Sequence, residues 1–153
     1  SAASDVYKRQ HHGHEAAGLP QLDALCTRYK VPNVYRVLAE KVMRYHGLAH
    51  KALELRPATV ITLLENLDAF RRSDQLESFL LACEADARGR TGFEQRDYPQ
   101  ADFLRTAFVT ARTVPVNPLL EQGYKGAALG EALRRLRIAA VARGCREGMR
   151  DEG

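Results

Sequence analysis

An apolar spacing of i, i+3, i+4, i+7 recurs along this chain, and no stretch of apolar–polar alternation is long enough for a strand. At 3.6 residues per turn, that spacing lays side chains along one stripe of a helix. Val60, Leu63, Leu64 and Leu67 show it, and Leu76, Phe79, Leu80 and Cys83 repeat it. The pattern predicts an all-α helical array.

The helices can be placed one by one. A first candidate runs from about His14 to Tyr29, interrupted by Gly18-Leu19-Pro20, with Leu22, Leu25 and Cys26 as its apolar face. Val31-Pro32 ends it, because the residue before a proline is pushed out of the helical region. Asn33 is expected to cap a second helix whose stripe is Val34, Val37, Leu38 and Val42. Pro57 suits the first turn of a third helix, and Ser73 is expected to cap a fourth. Gly89 to Pro99 is polar and carries Gly89 and Gly92, which predicts a loop, with Gly89 as the natural residue just past the helix end. A fifth helix follows with Leu104, Ala107, Phe108 and Ala111 as its buried edge, and Pro115 and Pro118 bracket a connector. The last helix is expected from about Ala127 to Arg143, with Leu129, Leu133, Leu136 and Ala140 inward. Arg134, Arg135 and Arg137 then fall mostly on the opposite side. Past Gly144 the chain is polar, and a frayed end is expected.

Composition narrows the function classes. At 153 residues the chain is one ordinary domain, and 45% hydrophobic with 27% charged residues describes a soluble globular protein. It has no apolar run long enough to span a membrane and no apolar N-terminal stretch of the secretory kind. Cys26, Cys83 and Cys145 are odd in number and form no C-x-x-C pair, which favours a reducing compartment over a disulfide framework or zinc cage. Cys26 and Cys83 lie within apolar helical patterns and are expected to be buried. The formal charge of +4 suits a polyanionic partner without requiring one.

Ser4 to Gln10 reads Ser-Asp-Val-Tyr-Lys-Arg-Gln, which matches the translation of a transposase end sequence used in sequencing adapters. A genuine polar arm is the alternative. Residues 1–10 are therefore set aside as an expected artefact, which takes Asp5, Lys8 and Arg9 out of the charge and lowers it from +4 to +3. The natural reading frame is then expected to extend upstream of His11.

Chemistry-bearing residues cluster in a few places. His11-His12-Gly13-His14-Glu15 sets imidazoles beside a carboxylate, a group able to bind a divalent transition metal. His46 and His50 are four apart and share a helix face, a two-ligand spacing that also serves ordinary hydrogen bonding. Arg88, Arg90 and Arg96 lie on or beside the polar loop, where they either complement a helix C-terminus or contact phosphates. Arg134, Arg135 and Arg137 form either a solvated helix face or an RNA-backbone stripe. Lys125-Gly126 precedes a helix and suits an anion weakly. The chain has no G-x-S-x-G elbow, Gly-rich nucleotide loop or paired-carboxylate motif. The residues by themselves thus predict a mildly basic helical domain.

Four segments together carry a more specific likeness. They are HHGHE at 11–15, RYKVPN at 28–33, EADARGRTGFE at 84–94 followed by DYPQ at 97–100, and GYKGAALGEALRRLRIAAVA at 123–142. In this order and spacing the chain resembles the bacterial multifunctional CCA family. These are class II tRNA nucleotidyltransferases that carry an appended HD-type phosphohydrolase domain. The likeness covers essentially everything after Gln10, and EADARGRTGFE is its most specific stretch.

The resemblance implies CCA addition to the tRNA 3′ end from CTP and ATP with Mg²⁺, in a nucleotidyltransferase head that would precede His11. It implies a cytoplasmic protein with no membrane role, whose helical body and tail hold the elbow and acceptor arm of a tRNA partner. Residues 11–88 would be an HD-like remnant, 89–144 a tRNA-binding helical region and 145–153 a polar tail. Arg88, Arg90, Arg96, Lys125, Arg134, Arg135 and Arg137 become candidates for RNA contact. His12, His14 and His46 become candidate metal ligands. The family's first His-Asp dyad would lie upstream, and a second pair found in relatives falls on His46-Gly47, where the aspartate is missing. Catalysis by this piece alone is therefore not expected. The alternatives are a free-standing HD-type metal-dependent phosphohydrolase and a helical interaction module with no RNA role.

Overall fold

The computed structural model describes residues 18–89 and 97–152, with side chains described as far as residue 145. All regular structure within those bounds is helical. Helix α1 spans Leu19–Arg28, α2 Asn33–His50, α3 Pro57–Asn66 and α4 Ser73–Arg88. After the undescribed 90–96 come α5 at Pro99–Arg112, the short α6 at Asn117–Glu121 and the long α7 at Gly126–Glu152. A single 3₁₀ turn, Ala52–Glu54, links α2 to α3.

The predicted stripes of α3, α4 and α5 make the core. Val60, Leu63, Leu64 and Leu67 are buried, as are Leu76, Phe79, Leu80 and Cys83 on α4, and Leu104, Ala107, Phe108 and Ala111 on α5. These side chains form one cluster with Ala49, Tyr98 and Val141, so a single core draws on both the 11–88 and 89–144 segments. Helix α2 packs on α4, and α7 lies across α3 and α5. Cys26 and Cys83 are buried and in no disulfide, as expected of small hydrophobes. No described helix is long and apolar enough to cross a membrane.

Four local expectations change. Asn33 and Ser73 are the first helical residues rather than caps, and the preceding Pro32 and Arg72 hold non-helical backbone without a capping side chain. Gly89 ends α4 in a right-handed conformation, φ −70°, rather than the left-handed one that favours glycine. Pro99 opens α5 and Pro118 lies in the first turn of α6, both at positions where a missing N–H costs nothing. The connector expected between Pro115 and Pro118 thus leads directly into a helical turn.

The largest correction concerns α7. It runs on to Glu152 instead of stopping near Arg143. A single interior glycine weakens a helix by only about 1 kcal/mol, and Gly144 packs beside Thr110, where an added Cβ would meet the threonine methyl at 3.9 Å. The inward face is also shifted from the expected one, with Leu129 and Leu133 only partly buried. Val141 is 1% exposed and Ala140 buried, whereas Leu136 is 42% exposed.

Candidate nucleic-acid interface

The shifted inward face of α7 decides where its arginines point. Arg134 reaches back to α3, donating from Nε to Glu65 at 3.0 Å and from Nη2 to the Thr62 hydroxyl at 2.6 Å. Arg137 lies over the Phe70 ring with its guanidinium carbon 4.0 Å from the centroid, a cation–π stack. Its buried Nε has no hydrogen-bond partner among the described residues. Burial lowers the Arg137 pKa from its ordinary value, and Glu65 offsets part of that shift. Arg135 is exposed, and Lys125 lies exposed just ahead of the helix. So two of the three α7 arginines, expected mostly on the solvent side, lie against the body. Arg135 alone of the three presents its side chain fully outward.

Arg88 sits elsewhere. It ends α4, pairs with Glu84 at 2.9 Å and lines an open depression of about 500 Å³ with His50, Asp97, Tyr98 and Gln100. This depression lies at the start of α5, while Arg137 is carried by Phe70, which packs on Phe108 near the end of α5. Ten residues of helix separate Tyr98 from Phe108, about 15 Å of rise. Arg88 and Arg137 therefore lie near opposite ends of α5 and not in one patch. Arg90 and Arg96 lie outside the described residues.

The histidines show a similar division. His12 and His14 lie outside the described residues. His46 donates from Nδ1 to its own helix at the Val42 carbonyl, 2.7 Å away, and meets the His50 ring edge-on with centroids 5.7 Å apart. Among the described residues, no three His, Cys, Asp or Glu side chains converge as a metal set. The residue after His46 is the buried Gly47, which has no side-chain ligand to offer.

His50 is held at both nitrogens. Nδ1 lies 2.7 Å from the Tyr98 hydroxyl and Nε2 2.9 Å from Asp86 Oδ2. Burial pushes the Tyr98 phenol well above its usual range, with Cys83, Asp86 and Glu84 adding to the shift. The Tyr98 hydroxyl and the Asp86 carboxylate thus flank the two ring nitrogens of His50. Gln100 completes the arrangement by donating to the His50 carbonyl at 3.0 Å. This Asp86–His50–Tyr98 array was not legible in the sequence. His46 and His50 showed a helix-face spacing, but Asp86 and Tyr98 stand 36 and 48 residues away. Only the packing of α2 against α4 and α5 brings them together.

Comparison with known proteins adds what geometry cannot. The chain is 60% identical over 134 residues to the multifunctional CCA protein of Methylococcus capsulatus, covering 87% of this chain and 32% of that protein. The chain is homologous to part of the multifunctional CCA proteins. The protein of that name from Thioalkalivibrio sulfidiphilus is 54% identical over 131 residues, 86% of this chain and 32% of its own length. That of Hahella chejuensis is 52% identical over 134 residues, 88% of this chain and 32% of its own. The chain thus spans about a third of the length of the curated multifunctional CCA proteins it matches. No family model matches the chain, and no solved structure matches it significantly.

Proposed function

We propose that this chain is the C-terminal helical part of a tRNA CCA-adding nucleotidyltransferase, with tRNA binding and scaffolding as its retained role in the cytoplasm. The single observation that carries the reading is the 60% identity over 134 residues to a multifunctional CCA protein three times longer than the matched segment. The nucleotide chemistry, with CTP, ATP and Mg²⁺, belongs in this account to a head encoded upstream of His11. This chain supplies helices that hold folded RNA by backbone and shape, the mode suited to double-stranded RNA. Arg88, Arg135 and Lys125 are the candidate phosphate contacts placed at the surface. Arg134 and Arg137 can reach RNA only at the edge of the body against which they pack.

The HD-type metal does not fit the described residues. His46 is followed by Gly47, and among the described residues, which exclude His12 and His14, no third ligand completes a metal set with the histidine pair. No hydrolytic step is assigned to this chain.

Anisotropy titration at low salt tests the reading, with labelled tRNA compared against an unstructured RNA of equal length. Tighter binding of the folded tRNA is expected. Equal affinity for both, or no binding to either, contradicts the proposal.

A further inference from the structure

The RYKVPN segment ends at Asn33, and that end opens onto a second depression unrelated to the one beside His50. It has a volume of about 540 Å³ and lies between the start of α2 and the turn joining α3 to α4. Three cations line it, Lys41, Arg71 and Arg72, against one carboxylate, Asp68; Asp74 on the first turn of α4 is the next nearest acid acting on Lys41. Asn33 and Gln75 add neutral polar groups, and the half-exposed Val34 gives the wall an apolar side.

The cations are only partly committed to the fold. Lys41 donates to two neutral oxygens, the Leu67 carbonyl at 3.0 Å and the Gln75 amide, so its position is fixed while its charge is not cancelled by direct pairing. Burial is the main influence on Lys41, lowering its pKa. Arg71 reaches Asp68 only at 3.9 Å and is 85% exposed. Arg72 repels Lys41 across the depression. Asp68 itself holds a left-handed backbone, φ 59°, uncommon for a residue other than glycine. That conformation turns the chain so that two arginines follow side by side at the rim. The next residue but one after Asp68 is Phe70, which carries Arg137, so the same turn joins this depression to α7.

The geometry points to a binding site for backbone phosphates of an RNA in this depression, made by Lys41, Arg71 and Arg72. Cations around an open hollow suit a phosphodiester, which brings one charge and needs no enclosed cavity. Arginine forks match phosphate oxygens two at a time, and Lys41 acts as a point charge beneath them. The inference rests on the proposed tRNA-binding role and extends it to residues of α2 and the α3–α4 turn.

The test is the salt dependence of tRNA affinity for the full chain, for R71A/R72A, for R71K/R72K and for Arg143→Ala as a surface-charge control, each with its thermal melt. The site predicts that R71A/R72A melts like wild type, binds about tenfold more weakly at moderate salt, and loses about two from the log–log salt slope. The double lysine variant should keep most of the slope, and Arg143→Ala should match wild type. Wild-type affinity and slope in R71A/R72A overturn the site while leaving the proposed function standing. An R71A/R72A loss accompanied by an equal loss in Arg143→Ala also overturns it, since net charge alone then accounts for the effect. Absence of tRNA binding by wild type overturns both.

Discussion

Arg135 and Arg137 stand two residues apart on α7 and have opposite fates. Arg135 is exposed, while Arg137 spreads over Phe70 and loses part of its hydration. Arg135→Ala should weaken tRNA binding by a few-fold and leave the melting temperature unchanged, because exposed charges contribute little to stability. Arg137→Ala should lower stability by about 1 kcal/mol through lost stacking, whatever it does to RNA. Urea melts paired with anisotropy titrations separate the two effects. The phenol of Tyr98 offers a second residue-scale check. Tyr98→Phe removes the hydroxyl partner of the half-buried His50 Nδ1, and should cost about 0.5–1.5 kcal/mol in urea denaturation. A change within experimental error would show that the Asp86–His50–Tyr98 array contributes nothing to the fold.

At the scale of elements, α4 and α5 are joined across their exposed edges by Arg105, which donates to both Glu77 oxygens at 2.9 and 2.6 Å and to Asp102 at 2.9 Å. The Arg105 hydrogen bond holds the Glu77 carboxyl below its ordinary range, with burial acting weakly the other way. A lowered folded-state pKa means that the unfolded chain binds the proton more readily. The stabilisation is therefore complete above the unfolded Glu value, about 4.3, and is lost as pH falls through the lower folded value. Glu77 is half exposed, so solvent screening keeps the effect small. The stability gap between wild type and Arg105→Ala, read as urea midpoints at pH 6.5 and pH 3, should narrow at the lower pH. A gap that widens in acid would contradict the assignment.

Elements also show what the sequence made legible. The stripes of α3, α4 and α5 were readable because each is built from large aliphatic side chains at helical spacing, and burial then follows directly. Helix α7 misled because its amphipathicity is weak and because arginine counts as polar although its stem packs well. Arg137 on Phe70 takes a place that a simple apolar stripe would have given to Leu136. The short α6 hid behind Pro118, which reads as a breaker yet is welcome in a first helical turn. Of the candidate interface, helix position was readable and partnership was not. Glu65 and Phe70 meet α7 from more than 60 residues away, and nothing local announces them.

For the whole molecule, one core spanning α2 to α7 carries two depressions, one beside His50 with Arg88 at its rim and a cationic one at the α3–α4 turn. A folded RNA laid along such a body would touch it through separated backbone contacts and not through a single pocket. The most direct measurement is hydroxyl-radical footprinting of tRNA bound to this chain. The account predicts protection of backbone positions confined to the elbow and acceptor arm, leaving the anticodon arm as reactive as in free tRNA. Uniform weak protection along the whole tRNA, or protection centred on the anticodon arm, would contradict it.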